Sequence, residues 1–142
     1  MGMLKIILAP TDFSELSARG VLYGFQLAKE VGAELIVFNV VVVDESNAVD
    51  KREVADHKIR LDEFVTDKLA DSGANVKIRQ MVVGGQPFGA IVGCAETECV
   101  DLIVMSSHGR TGLSRMLIGS VTDKILRGAP CPVLVVPVEK GP

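Results

Sequence analysis

The chain has 142 residues, enough for one domain with a single core, and 48% of them are hydrophobic, which excludes an intrinsically disordered protein. Its net charge of −3 and aromatic content of 4% argue against a nucleic-acid binder, because such proteins usually carry a basic face or stacking aromatic side chains. The longest apolar stretch, residues 35–43, is too short to span a bilayer, and no secretory signal is recognisable. We therefore expect a cytoplasmic protein with neither nucleic acid nor membrane as a partner.

The first third of the chain alternates between strand-like and helix-like patterns. A short apolar run over residues 4–9 stops at Pro10 and predicts the first strand. A helix is predicted between an N-cap at Ser14 and a stop at Gly32, because glycine adopts the left-handed conformation without a Cβ penalty. Glu34–Val42 is almost continuously apolar and rich in β-branched residues, which predicts a strand buried on both faces.

The remaining predicted elements continue this alternation. They are a helix over residues 51–72, a strand over 76–83, a helix that begins at Pro87, a strand over 102–105, a loop over 106–117, a helix over 120–127 and a strand over 131–136. The helices between strands are long enough to return the chain, so the order predicts an α/β fold with a five-stranded parallel sheet. No linker or repeat interrupts residues 1–142, which we interpret as a single domain.

Three cysteines and one histidine are predicted to lie outside any site. Cys94, Cys99 and Cys131 form neither a CxxC pair nor a zinc-binding spacing, so each is interpreted as a small buried hydrophobic residue. His57 falls in the middle of a helix among charged residues and is predicted to lie on the surface.

The segment after the fourth strand is the strongest candidate for a site. In an open α/β sheet, ligands bind beyond the carboxyl ends of the strands. Gly119, Ser120 and Val121 begin a helix there, and the backbone N–H groups and dipole of a helix N-terminus attract phosphate. The same residues also fit a second interpretation, in which Ser120 and Asp123 only cap their own helix.

Several segments, in this order, resemble the universal stress protein family. They are residues 10–14 (PTDFS), 39–41 (NVV), 85–87 (GQP), 101–109 (DLIVMSSHG), 119–121 (GSV) and 129–137 (APCPVLVVP). The resemblance covers nearly the whole chain. It implies three α/β/α layers of the adenine nucleotide α-hydrolase type, with strand order 3-2-1-4-5.

The nucleotide-binding branch of that family carries the motif Gly-x2-Gly-x9-Gly-Ser/Thr. Gly109, Gly119 and Ser120 match its last three defined positions, whereas Ser106 replaces the first glycine. The resemblance places ribose and phosphates at that position, so we expect the Ser106 side chain either to contact the ligand or to clash with it.

The resemblance also implies the ligand contacts. Val40 would meet adenine through its backbone, Met105 would lie beneath the ribose, and the glycine loop would hold the phosphates. The full predicted set is Pro10, Thr11, Asp12, Val40, Met105, Ser106, His108, Gly109, Arg110, Gly119, Ser120 and Val121.

The polar and charged members of this set have alternative interpretations. Asp12 suits a ribose hydroxyl or a Mg²⁺ ion bound with the nucleotide, and its alternative is to cap the first helix. Arg110 and Arg115 either screen phosphate charge or are simply solvated. His108 has no neighbouring nucleophile or carboxylate that would make it a general base, so a structural or solvent-facing role is its alternative.

Three functions fit the sequence. The first is a stress-response or signalling module that binds ATP, ADP or AMP and changes its contacts with an unknown protein partner. The second is a nucleotide-free dimeric interaction protein of the same fold. The third is an enzyme, but no Walker, dinucleotide, hydrolase or kinase motif is present, so no catalytic residue is predicted and hydrolysis would at most be slow. The resemblance further implies a homodimer that pairs through the fifth strand, residues 132–136, whose edge would otherwise be open.

Overall fold

A computed structural model describes residues 2–46, 48–70, 75–108 and 118–137. Its elements in chain order are β1 (Ile6–Pro10), α1 (Glu15–Val31), β2 (Glu34–Val42), α2 (Lys51–Leu69), β3 (Ile78–Gly85), α3 (Pro87–Thr97), β4 (Leu102–Ser106), α4 (Ser120–Gly128) and β5 (Val133–Val136). The five strands form one parallel sheet in the order β3-β2-β1-β4-β5. This confirms the predicted α/β architecture and strand order.

The ends of several elements differ from the prediction. The first strand includes Pro10, which has no N–H to donate. This position faces β4, and the pairing of β1 with β4 has already ended at Leu8, so no hydrogen bond between the strands is lost. The third strand continues through Gly84 and Gly85, which pair with β2 instead of following the strand. The last strand begins two residues late, at Val133, and α2 ends at Leu69, three residues early.

Helices cover both faces of the sheet and enclose two hydrophobic clusters. Phe25, Leu35 and Leu61 are buried in the cluster beneath α1 and α2. Phe38 and Ile125 are buried in the cluster beneath α3 and α4. Because β2 contributes to both clusters, it is buried on both faces, as its sequence predicts.

The bounds of α1 follow from its two caps. The Ser14 side chain accepts a hydrogen bond from the Ser17 N–H at 3.1 Å, and Gly32 ends the helix in the left-handed conformation with φ 74°. Both caps confirm the sequence prediction.

The reversal of strand order places a crevice at the carboxyl edge of the sheet. The chain runs from β1 outward to β3 on one side and then returns to build β4 and β5 on the other. Connections that diverge in this way from adjacent strands leave an opening between β1 and β4, where open α/β sheets bind ligands.

The three cysteines differ in their environments. Cys94 is buried, Cys131 is half-buried and Cys99 is exposed, so the prediction of burial was wrong for Cys99. Cys99 lies in the turn after α3 with φ 54°, which directs it away from the core. Burial raises the pKa of the Cys94 thiol to about 11, so Cys94 is not a thiolate nucleophile at neutral pH.

Within the described ranges, no helix combines the length and the apolar character that crossing a membrane requires.

Candidate functional site

A cleft of about 480 Å³ opens at the carboxyl edge of the sheet. Its volume lies within the range of about 300–1,000 Å³ that is typical of small-molecule sites. Each predicted site residue in the described ranges lines it, namely Pro10, Thr11, Asp12, Val40, Met105, Ser106, His108, Gly119, Ser120 and Val121. Gly109, Arg110 and Arg115 lie outside the described residues.

The loop between β1 and α1 is held by hydrogen bonds of its own side chains. The Thr11 hydroxyl accepts from the Phe13 N–H at 3.0 Å and lies 2.7 Å from the Ser17 hydroxyl. The Asp12 carboxylate accepts from the Ser14 N–H at 3.0 Å. Since Ser14 is the residue that caps α1, the alternative role of Asp12 as a helix cap was wrong, and Asp12 instead stabilises the turn at the cleft.

Val40 presents an unpaired peptide edge to the cleft. Along a strand between two parallel neighbours, alternate residues hydrogen-bond to opposite sides, and Phe38 faces β1 because its C=O accepts from the Thr11 N–H at 2.8 Å. Two residues on, Val40 faces the same side, but the β1 ladder has ended and the Thr11 C=O accepts from the Asn39 side chain at 2.9 Å. No backbone partner of the Val40 N–H or C=O on this side is found among the described residues.

The Ser106 hydroxyl points to α1. It donates to the Leu16 C=O at 2.5 Å and accepts from the Gly20 N–H at 2.9 Å, so it bridges two groups one turn apart in α1. The cause is the close approach of α1, since Gly20 has no Cβ to separate the helix from β4. Ser106 also lines the cleft, and the contact or clash of its side chain with a ligand stays a prediction.

His108 is buried in the wall of the cleft. Its side chain is 1% exposed, and Nδ1 lies 3.0 Å from the Ser107 hydroxyl. Nε2 is buried and has no hydrogen-bond partner among the described residues. This burial corrects the solvent-facing alternative, and leaving a buried nitrogen unpaired costs about 1–3 kcal/mol.

The N-terminus of α4 has no side-chain cap. Gly119 is the N-cap residue, its N–H donates to the Ser107 C=O at 2.8 Å, and the first bond of the helix runs from the Asp123 N–H to the Gly119 C=O. The Asp123 carboxylate accepts from Arg127 at 3.2 Å and makes no cap hydrogen bond, so the second interpretation, in which Ser120 and Asp123 cap their own helix, was wrong. Among the described residues, the Ser120 and Val121 N–H groups have no hydrogen-bond partner and remain available at the cleft.

The lining residues that the sequence prediction of the site missed include His57 and Asn39. His57 is half-buried and lines the cleft, so its surface assignment was wrong, and its Nδ1 lies 2.7 Å from the Asn39 Oδ1. The signal was present, because His57 stands three residues after Val54 and four before Leu61, which is the spacing of the buried face of α2. Asn39, which is 3% exposed, is a buried polar residue within the apolar run of β2 that follows Glu34.

The family assignment follows from comparison with known proteins. Residues 3–137 match the sequence profile of the universal stress protein family. This chain belongs to that family. Among its universal stress protein relatives in Methanocaldococcus jannaschii, MJ0531 is 34% identical over 97% of this chain and 85% of its own length. MJ0577 from the same organism is 35% identical over 94% of this chain and 95% of its own length.

Solved structures of universal stress proteins have the same fold. A structure of MJ0577 superposes with a TM-score of 0.73 at 31% identity and covers 99% of this chain and 100% of the other. A universal stress protein solved in complex with cAMP superposes with a TM-score of 0.76 at 24% identity over 97% of this chain and 100% of the other. At 24% identity, the similarity to the cAMP complex shows a shared fold and no more.

The cleft of this universal stress protein combines two kinds of surface. Apolar side chains, among them Ile91, Met105 and Val121, line one part and suit a flat ring or a sugar face. The other part offers the main-chain N–H groups at the start of α4. Among the described residues, no group of three or more His, Cys, Asp or Glu could hold a metal ion by itself. The arrangement therefore suits a ligand with a planar base and an anionic end.

Proposed function

We propose that this protein binds an adenine nucleotide in the cleft, with ATP as the principal ligand, and acts as a stress-response or signalling module. The observation that carries the proposal is the set of hydrogen-bonding groups along one cleft that have no partner among the described residues: the Val40 peptide edge and the first N–H groups of α4. Binding of cAMP by another protein of the family gives coarser support.

The chemistry of these groups matches adenine at one end and phosphate at the other. A peptide N–H and C=O side by side can donate to adenine N1 and accept from its 6-amino group. Unpaired N–H groups at a helix N-terminus, together with the helix dipole, attract phosphate. A Mg²⁺ ion would arrive with the nucleotide, and Asp12 is the carboxylate at the turn that could meet it or a ribose hydroxyl.

The test is ligand binding by the wild-type protein after removal of any bound small molecule. We expect calorimetry to show saturable heat with ATP at one site per chain, and ATP at a hundred times its Kd to stabilise the fold by about 2.7 kcal/mol. Mass analysis of the small molecules released on denaturation identifies the natural ligand. Neither heat nor a released nucleotide would favour the nucleotide-free interaction protein, and phosphate release with Mg²⁺ far above background would favour an enzyme.

The open edge of β5 supports pairing with a second copy of this chain. All four residues of β5 are half-buried, and within the described part of the chain β4 is the strand's single neighbour. An apolar strand edge that is left open invites pairing with another chain. We expect size-exclusion chromatography with light scattering to give twice the mass of one chain at micromolar concentration. A lysine in place of Leu134 should shift the mass toward the monomer, and a monomeric wild-type protein would contradict the dimer.

A further inference from the structure

The His57 side chain is held at the cleft by both polar and aromatic contacts. Its ring packs against the edge of Phe13 with a centroid distance of 5.5 Å. Its Nδ1 lies 2.7 Å from the Asn39 Oδ1. The imidazole therefore has a defined position in the wall that α2 contributes to the cleft.

A chain of hydrogen bonds from the main chain fixes the tautomer of this ring. A carbonyl oxygen only accepts, so the Asn39 atom that lies 2.9 Å from the Thr11 C=O must be the amide nitrogen. The remaining Asn39 atom is then the amide oxygen, which also only accepts, and His57 Nδ1 must carry the hydrogen between them. In the neutral imidazole, Nε2 is consequently an acceptor with a free lone pair.

His57 lines the same cleft as Val40, where we place the nucleobase. Asn39, which holds the ring, immediately precedes Val40, whose unpaired peptide edge suits adenine. The 6-amino group of adenine carries two hydrogens that point in different directions, so the Val40 C=O can accept only one of them. A second acceptor beside that edge completes the hydrogen bonding of a 6-amino group and opposes the 6-oxo group of guanine or hypoxanthine.

We propose that His57 Nε2 accepts a hydrogen bond from the 6-amino group of the bound adenine and so selects 6-aminopurines over 6-oxopurines. Asn39 acts as a positioning residue that places the hydrogen of the neutral imidazole on Nδ1 and the lone pair on Nε2. The inference rests on the proposed function and adds a specificity residue from α2 that none of the sequence motifs contains.

The experiment measures ATP and inosine triphosphate, which has a 6-oxo group, against the wild-type protein and the His57→Phe variant. Phenylalanine keeps a ring against Phe13 but has no acceptor. We expect the variant to bind ATP roughly tenfold more weakly, the effect of one lost hydrogen bond, and to bind inosine triphosphate at least as tightly as wild type, because the acceptor that opposes the 6-oxo group is gone. Lys58→Ala, on the exposed face of the same helix, is the matched control and should change neither affinity.

A second measurement on the wild-type protein does not depend on the stability of a variant. Nitrogen-15 NMR of the His57 ring should show a protonated Nδ1 and an unprotonated Nε2, and ATP should shift the Nε2 resonance. An Nε2-protonated ring, or an unchanged ATP preference in a folded His57→Phe variant, would overturn this inference while leaving nucleotide binding intact. If the wild-type protein binds no nucleotide at all, the proposed function fails and this inference fails with it.

Discussion

Replacing Gly20 with alanine should destabilise the protein by about 3 kcal/mol, near the upper end of the cost of an extra methyl group in a packed core. A Cβ at this position would lie 2.8 Å from the Ser106 N and 3.0 Å from two main-chain atoms of Met105. Main-chain atoms cannot rotate away as the end of a side chain can, so α1 would have to move off β4. That movement would also weaken the two hydrogen bonds between α1 and the Ser106 hydroxyl.

The matched control is Gly24→Ala, one turn along the same helix face. A Cβ there would contact only side-chain atoms, the nearest being Leu35 Cδ1 at 3.4 Å. Alanine is a better helix former than glycine by about 1 kcal/mol, so Gly24→Ala should leave stability unchanged or raise it slightly. Urea denaturation of both variants gives the two free energies of unfolding. Equal stability of the two variants would contradict the close approach of α1 to β4.

Much of the fold could be predicted because its signals are local. Ser14 and Gly32 mark the ends of α1 through backbone geometry that each residue type favours on its own. The apolar pattern of Glu34–Val42 predicts β2 with both of its ends correct. The strand ends were less predictable where pairing extends them, as when β3 continues through Gly85 because Val42 of the neighbouring strand pairs with it.

The direction of the site side chains could not be predicted, because it depends on partners far away in sequence. The Ser106 hydroxyl turns to α1 through a hydrogen bond to Gly20, 86 residues earlier in the chain. His57 enters the cleft because Asn39, 18 residues before it, offers a buried acceptor. Local pattern predicts which residues stand at the edge of the sheet, whereas tertiary packing decides where their side chains point.

Replacing Ser120 with aspartate should separate stability from nucleotide binding. Ser120 is the first residue of α4, where a negative charge interacts favourably with the helix dipole, so stability without ligand should rise by about 0.3–1 kcal/mol. The same carboxylate would lie where the proposed phosphates meet the α4 N–H groups. Like charges about 4 Å apart near a protein surface repel by about 4 kcal/mol, so ATP affinity should fall by about a hundredfold or more.

Ser120→Asn provides the neutral control, because asparagine matches the shape of aspartate without its charge. It should bind ATP within about fivefold of wild type, since the main-chain N–H groups are unchanged and one hydroxyl contact contributes about 0.5–1 kcal/mol. Urea denaturation without ligand and calorimetry with ATP measure the two effects separately. A Ser120→Asp variant that unfolds at higher urea and no longer binds ATP would show that the free amides of α4 hold the phosphates. Wild-type affinity in that variant would place the phosphates elsewhere, because a fixed negative charge cannot share this helix end with them unnoticed.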